Sequence, residues 1–192
     1  MLQALVLGDR HGEVRAAAAG RVKDHDILAT AALGDAEWQV REIAVAGLQD
    51  EVVLSRIARQ DEAWQVRRAA ITATRDAVLL AHGARWDKAW QVRKAAVARI
   101  EDEAVLANRA KNDEDWGVRR QAVRRLSDHD LLANRARWDE APQVREAAVR
   151  RLDTRPLLKE IEAGDTEAAV RSAAAARLAE LDGPAPSSAE AT

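Results

Sequence analysis

Apolar side chains fall along this chain in two alternating patterns. In the first, a pair of large aliphatic residues recurs as Ile27-Leu28, Val53-Leu54, Leu79-Leu80, Val105-Leu106, Leu131-Leu132 and Leu157-Leu158. In the second, a Val is followed by Ala four residues on and a larger apolar residue eight on. Val40, Ala44 and Leu48 show it, as do Val92, Ala96 and Ile100, and Val118, Ala122 and Leu126. A spacing of four keeps side chains on one helical face, so each pattern predicts a short amphipathic helix. Ala at the centre of the second lets neighbouring helices approach closely.

The two patterns alternate with a fixed period of 26 residues. A Val-Arg pair stands at Val14-Arg15, Val40-Arg41, Val66-Arg67, Val92-Arg93, Val118-Arg119, Val144-Arg145 and Val170-Arg171. An Asp precedes each Val by five: Asp9, Asp35, Asp61, Asp87, Asp113, Asp139 and Asp165. Strict periodicity in this range signals a solenoid, in which each unit packs on its neighbours. The expectation is all-α: a right-handed α-solenoid of about seven two-helix units over residues 1–181. Aligning Met1-Leu2 with Leu131-Leu132 makes the first unit incomplete and leaves it without the usual cap. The stretch from Asp182 through Gly183, Pro184 and Pro186 breaks helix, so residues 182–192 are expected to be a disordered tail.

The repeat also assigns polar roles. Asp24, Asp50, Asp76, Asp102 and Asp128 stand where the first helix of each unit begins, and Asp is a favoured N-cap. Thr154 replaces it in the sixth unit and is expected to cap as well. The repeated Asp before Val either satisfies backbone N–H groups in the turn or caps the second helix. The Arg after Val is placed to reach the Asp of an adjacent unit, giving a ladder of ion pairs. A pair present seven times is structural in the first instance, since chemistry needs only one.

The run Asp61-Glu62-Ala63-Trp64-Gln65-Val66-Arg67-Arg68-Ala69-Ala70, of the form Asp-x-x-x-x-Val-Arg-x-x-Ala, resembles short HEAT-like repeats of the phycobilisome-lyase and leucine-rich-variant type. The resemblance covers residues 1 to about 181. It implies an α-solenoid and leaves function open, since such families include protein scaffolds, chaperones of chromophore attachment and a group of DNA glycosylases. The iron–sulfur cluster of some leucine-rich-variant proteins needs cysteines, and this chain has none.

Composition narrows the field further. Absence of Cys removes disulfides, thiolate catalysis and Cys metal sites, and fits a reducing compartment. No leader segment or membrane-length apolar run is evident, which makes the cytoplasm the default location. The net charge is −2, but it is unevenly spread. Residues 85–151 hold 16 Lys and Arg against 12 Asp and Glu, a local excess of +4. Arg68, Lys94, Arg120, Arg124 and Arg150 fall on the second helices away from the Val/Ala/Leu face. If those helices line an inner curve, they form a basic stripe, flanked by Arg99, Arg125 and Arg151. Arg85, Lys111 and Arg137 add charge at the first-helix ends. The stripe is either a solvated face balanced by Glu42, Glu146 and nearby Asp, or a groove for an acidic peptide or phosphate backbone.

Tryptophan supplies every aromatic ring. Trp38, Trp64, Trp90 and Trp116 share one position, two before Val, where Pro142 stands in the sixth unit. Pro tolerates the first turn of a helix, which puts these rings at second-helix N-termini. They either staple turns, aided by cation–π contact with Arg, or form an exposed ladder for a peptide or nucleobases. Trp86 and Trp138 form a separate set at first-helix ends.

Asp24-His25-Asp26 and Asp128-His129-Asp130 are one repeat position seen twice, and adjacent residues at a cap do not converge on an ion. No catalytic, cofactor-binding or metal-ligating residue is singled out. The reading is a non-enzymatic scaffold that needs no cofactor and docks a protein or peptide partner, acidic in character, on Trp38, Trp64, Trp90 and Trp116 with Arg68, Lys94, Arg120, Arg124 and Arg150. The alternative is nucleic-acid binding through the basic stripe. An enzyme accessory and a partnerless consensus-like repeat come further behind. Self-association through the solenoid ends stays open, and no membrane contact is expected.

Overall fold

The structure, a computed structural model, describes residues 1–183. Among these the chain is all-helical, with fourteen helices, no strand and no residue at positive φ. The contacts of the described residues divide them into two compact units, one of residues 1–105 and one that begins at residue 106.

The first unit contains α1 (Leu2–Gly8), α2 (Gly12–Ala19), α3 (His25–Gly34), α4 (Trp38–Ala46), α5 (Glu51–Gln60), α6 (Trp64–Ala73), α7 (Ala77–Trp86) and α8 (Trp90–Val97). Helix α9 (Glu103–Asn112) holds the boundary. The second unit continues with α10 (Trp116–Val123), α11 (His129–Trp138), α12 (Pro142–Val149), α13 (Arg155–Gly164) and α14 (Ala168–Asp182). Within each unit, odd and even helices pair, and successive even helices pack side by side: α2 on α4, α4 on α6, α6 on α8, then α10 on α12 and α12 on α14. This is the two-helix solenoid architecture expected from the 26-residue period.

The core follows the apolar pattern. Val40, Val66, Val92, Val118, Val144 and Val170 are fully buried, as are the Ala residues four positions on, from Ala44 to Ala174. Leu28, Leu54, Leu79, Leu106, Leu132 and Leu158 supply the facing layer from the odd helices. Two positions depart from the pattern. Val14 stays 37% exposed, because no even helix precedes α2 to cover it as α12 covers Val170 on α14. Thr74 takes the place of the third apolar residue of α6 and is buried; its hydroxyl donates to Glu51 Oε2 and accepts the Asp76 N–H, so no polar atom is stranded.

The caps are largely as the sequence indicates. Asp24 and Asp50 each accept two backbone N–H groups, Asp76 takes that of Val78, Asp102 those of Ala104 and Val105, and Asp128 that of Leu131. Thr154 differs: its side chain makes no cap bond. The residue two past it is Pro156, which lacks the N–H that Asp24, Asp50, Asp76 and Asp102 engage at that position. Helix α14 runs to Asp182, so that residue is helical; the rest of the expected tail, residues 184–192, lies outside the described residues. No described helix is long and apolar enough to cross a membrane.

Candidate binding surface

The repeated Asp and Arg form a closed framework. Each Asp ends its odd helix in extended conformation and turns its carboxylate onto the N–H two residues on, as Asp35 does with Glu37 and Asp61 with Ala63. That is the turn role, and it leaves the carboxylate free to take an Arg from the preceding repeat. In the first unit Nε and Nη2 of Arg15 reach Asp35 at 2.7 and 2.9 Å, Arg41 reaches Asp61 at 2.8 and 2.9 Å, and Arg67 reaches Asp87 at 2.7 and 2.9 Å. In the second unit Arg119 holds Asp139 at 3.0 and 2.9 Å, and Arg145 holds Asp165 at 2.8 and 2.9 Å. The remaining nitrogen, Nη1, donates to the carbonyl of the Asp six residues back, at 2.8 Å for Arg67 to Asp61 and 2.9 Å for Arg119 to Asp113.

These two-pronged bonds raise the pKa of each of these five guanidiniums, against the opposing pull of burial. They lower the carboxyl pKa of Asp35 and Asp165 in the same way. With donors and acceptors saturated internally, the pairs hold repeats together and present nothing to a ligand.

The even helices carry the surface residues. Each Trp occupies the first helical position and sits one turn from the residue four on. Arg68 lies over the Trp64 ring at 5.1 Å and Lys94 over the Trp90 ring at 5.6 Å, so cation–π contact forms within one helix. Arg68 also reaches back to Glu42 of the preceding repeat at 3.1 Å, which shows that this row of side chains lies side by side on α4 and α6. Trp38 and Trp64 are half-buried, whereas Trp90 and Trp116 keep 41% and 44% of their surface exposed. The rings are therefore graded: the first two are packed down, and the next two present a face.

The basic residues are also of two kinds. Arg68 is engaged by Glu42, and Arg150 by Glu146 at 2.7 Å on the same helix. Lys94, Arg120 and Arg124 have no carboxylate partner among the described residues. Nε of Arg120 is buried without a hydrogen-bond partner. In the first unit the structure gathers Trp38, Trp64, Trp90, Arg68 and Lys94 on the even helices; in the second it sets Trp116, Arg120, Arg124 and Arg150 on α10 and α12 or at their ends. At the odd-helix ends, Arg137 is clamped by Glu160 at 2.8 and 3.1 Å, which raises its pKa and lowers that of Glu160.

Trp86 and Trp138, outside the expected anchors, are the most exposed aromatic residues, at 74% and 73%. Each ends an odd helix, next to the framework Asp. They stand 52 residues apart, two periods, and that spacing was the available signal for a shared surface role.

The architecture defines an α-solenoid of paired short helices. The chain is similar to the YibA protein of Escherichia coli, a repeat-type helical protein solved by X-ray crystallography, with a TM-score of 0.64 and 21% identity over 94% of this chain and 80% of that one. At that identity the likeness bears on the fold alone. A designed armadillo repeat protein aligns with a TM-score of 0.29 and 19% identity over 94% of this chain and 81% of that one. Neither a protein-family model nor a curated protein matches the chain.

Proposed function

We propose that this protein is a non-enzymatic scaffold of the short HEAT-like class that docks a protein or peptide partner on its even-helix face. Trp38, Trp64, Trp90 and Trp116 serve as anchors, and Arg68, Lys94, Arg120, Arg124 and Arg150 supply charge. The observation that carries this reading is the exposure of Trp90 and Trp116 beside a core that is already filled. A large aromatic face kept in water contributes nothing to packing, and Trp and Arg are the residue types that dominate binding hot spots. The Asp/Arg framework supports the absence of chemistry, because its carboxylates are committed to structure.

The test is a quantitative pull-down with the native protein and a Trp64→Ala/Trp90→Ala/Trp116→Ala variant immobilised in parallel. Proteins retained by the native chain and depleted about tenfold on the variant support the scaffold reading; equal retention refutes it. Lys94, Arg120 and Arg124, which have no carboxylate partner among the described residues, favour the second reading, nucleic-acid binding. Fluorescence anisotropy with labelled DNA and RNA decides it: micromolar binding that collapses between about 50 and 200 mM salt would put nucleic acid in place of a protein partner.

A further inference from the structure

A cleft of about 760 Å³ lies along α7 in the first unit. Its size is that of a ligand site, and it is more than twice the volume of either hollow beside Trp138, at about 230 and 320 Å³. The floor is the face of α7 formed by Ala77, Val78, Ala81, His82 and Arg85, which share one side of the helix by their spacing. Trp86 and residues 99–102 also line it.

Four arginines line this space: Arg59, Arg75, Arg85 and Arg99. Their states differ. Arg99 donates Nη1 to the carbonyls of Ile71 and Thr72, at 2.7 and 2.9 Å, which pins the side chain without neutralising it. Arg85 has only a long contact to Asp102, 3.8 Å, with both groups nearly half exposed. Arg59 donates to the Ser55 hydroxyl at 3.3 Å and to no carboxylate among the described residues. The Arg75 guanidinium has no partner among the described residues. Two carboxylates, Glu101 and Asp102, stand opposite, so the lining is cationic by two charges with His82 neutral. Burial and Arg59 lower the His82 pKa, against an opposing pull from Asp87. Val78 is 71% exposed and Trp86 74%, large apolar surfaces bordering uncompensated charge.

We infer that the α7 cleft is a binding site for an acidic peptide segment carrying one apolar anchor residue. The anchor packs between Val78 and Trp86, and flanking carboxylates meet Arg59 and Arg75. From Val78 to Trp86 the helix rises about 12 Å, which an extended peptide spans with about four residues. A peptide suits this lining better than a nucleic acid. Glu101 and Asp102 in the wall repel an unbroken row of phosphates, whereas a peptide places carboxylates only where the arginines are. The site shares the scaffold reading but uses the opposite set of helices from Trp64 and Trp90.

The experiment is selection from a random twelve-residue peptide library displayed on phage, on the immobilised full chain. Enriched sequences are then made as fluorescein-labelled peptides and titrated by anisotropy. The expected result is enrichment of Asp and Glu around a Leu, Ile, Phe or Trp, with affinity falling about tenfold in Arg59→Glu/Arg75→Glu and in Trp86→Ala. Trp64→Ala/Trp90→Ala leaves it unchanged. Circular dichroism and urea melts confirm that each variant folds. Selection without acidic enrichment overturns the inference, as does unaltered affinity in the Arg59/Arg75 variant. Loss of the same peptides in the Trp64/Trp90 variant also overturns it, while supporting the even-helix surface; the two readings therefore fail separately.

Discussion

Arg67 and Arg68 are neighbours in sequence, yet their removal is expected to differ severalfold in cost. The Arg67 side chain is 5% exposed and its partner Asp87 6%. It makes four bonds: two to the Asp87 carboxylate, one to the Asp61 carbonyl at 2.8 Å and one to the Glu62 carbonyl at 3.0 Å. In Arg67→Ala the Asp87 carboxylate retains the Ala89 N–H, at 2.8 Å, but loses its counter-charge in a site closed to water. Breaking a buried pair from one side costs about 3–5 kcal/mol. Arg68 and Glu42 are 43% and 28% exposed, a setting in which an ion pair contributes about 0–1 kcal/mol. Its position over Trp64 adds about 0.5–1 kcal/mol, so Arg68→Ala should cost under about 2 kcal/mol. A double variant, Arg67→Met/Asp87→Leu, removes both charges together and should lose less than Arg67→Ala. It still falls below the native chain, because orphaned backbone groups cost about 1–3 kcal/mol each. Urea melts followed by circular dichroism at 222 nm give the order, compared at common slope. A loss below about 1 kcal/mol in Arg67→Ala, or equal losses at the two positions, would refute the claim that the framework pairs hold the repeats together.

Acidification should weaken the fold in two separate windows. His82 has a lowered folded pKa, so the unfolded chain takes up its proton first, and stability declines as pH falls below about 6.5; His82→Gln should remove this step from pH-dependent urea midpoints. Asp35 and Asp165 have depressed folded pKa values, so their contribution is complete above about 3.9 and disappears as pH falls through the folded values; a flat midpoint between pH 5 and 2 would contradict their pairing with Arg15 and Arg145. Trp86→Phe/Trp138→Phe should shift the emission to the blue and lower iodide quenching more than Trp38→Phe/Trp64→Phe does, in line with their exposures; the reverse order would mean that the odd-helix ends are covered. Thr154→Asp should raise the unfolding free energy by about 0.5–1 kcal/mol, read as a higher urea midpoint at common slope, by giving α13 the cap bond to the Leu157 N–H that Asp128 makes to Leu131, and no gain would mean Pro156 has already fixed that turn.

The features legible in sequence are those that depend on spacing alone. A Val with Ala four on and an apolar residue eight on can face only one way on a helix, and Asp35, Asp61 or Asp87 next to a turn has only local N–H groups to meet. Arg15 to Asp35 needed one further idea, that adjacent repeats lie in register, and strict periodicity supplies it. Exposure is a different kind of property. Trp64 and Trp90 have the same flanking Gln-Val-Arg, yet one is half-buried and the other exposed. Arg68 is drawn across Trp64 by Glu42 of the preceding repeat, whereas Lys94 meets Trp90 without a carboxylate partner. Such differences come from neighbours 26 residues away that are not themselves periodic. Trp86 and Trp138 were hard to see as surface anchors for a related reason: Asn112 separates them at the same position, with Gly34, Gln60 and Gly164 elsewhere, so no row is apparent.

That division explains where recognition can reside. The Val, Ala and Leu layers and the Asp/Arg pairs use the same positions in nearly every repeat, and a change at any of them costs stability in the whole neighbourhood. The positions left over are free to vary without touching the framework. Glu42, Arg68, Lys94, Arg120 and Glu146 occupy one of them; Thr30, Arg56, His82, Asn108 and Asn134 occupy another. Under the scaffold proposal, binding specificity would therefore be carried by departures from the repeat. The α7 cleft is where departures coincide: Arg75 stands where Gln49 and Glu101 stand in adjacent repeats, and Trp86 where its neighbours have Gln60 and Asn112, while Val78 repeats the exposed Val52 of the preceding repeat. The two changes are unrelated in type, yet both border one hollow and together add a cation and a large apolar surface. Framework packing demands neither of them, which is the physical ground for placing a ligand there.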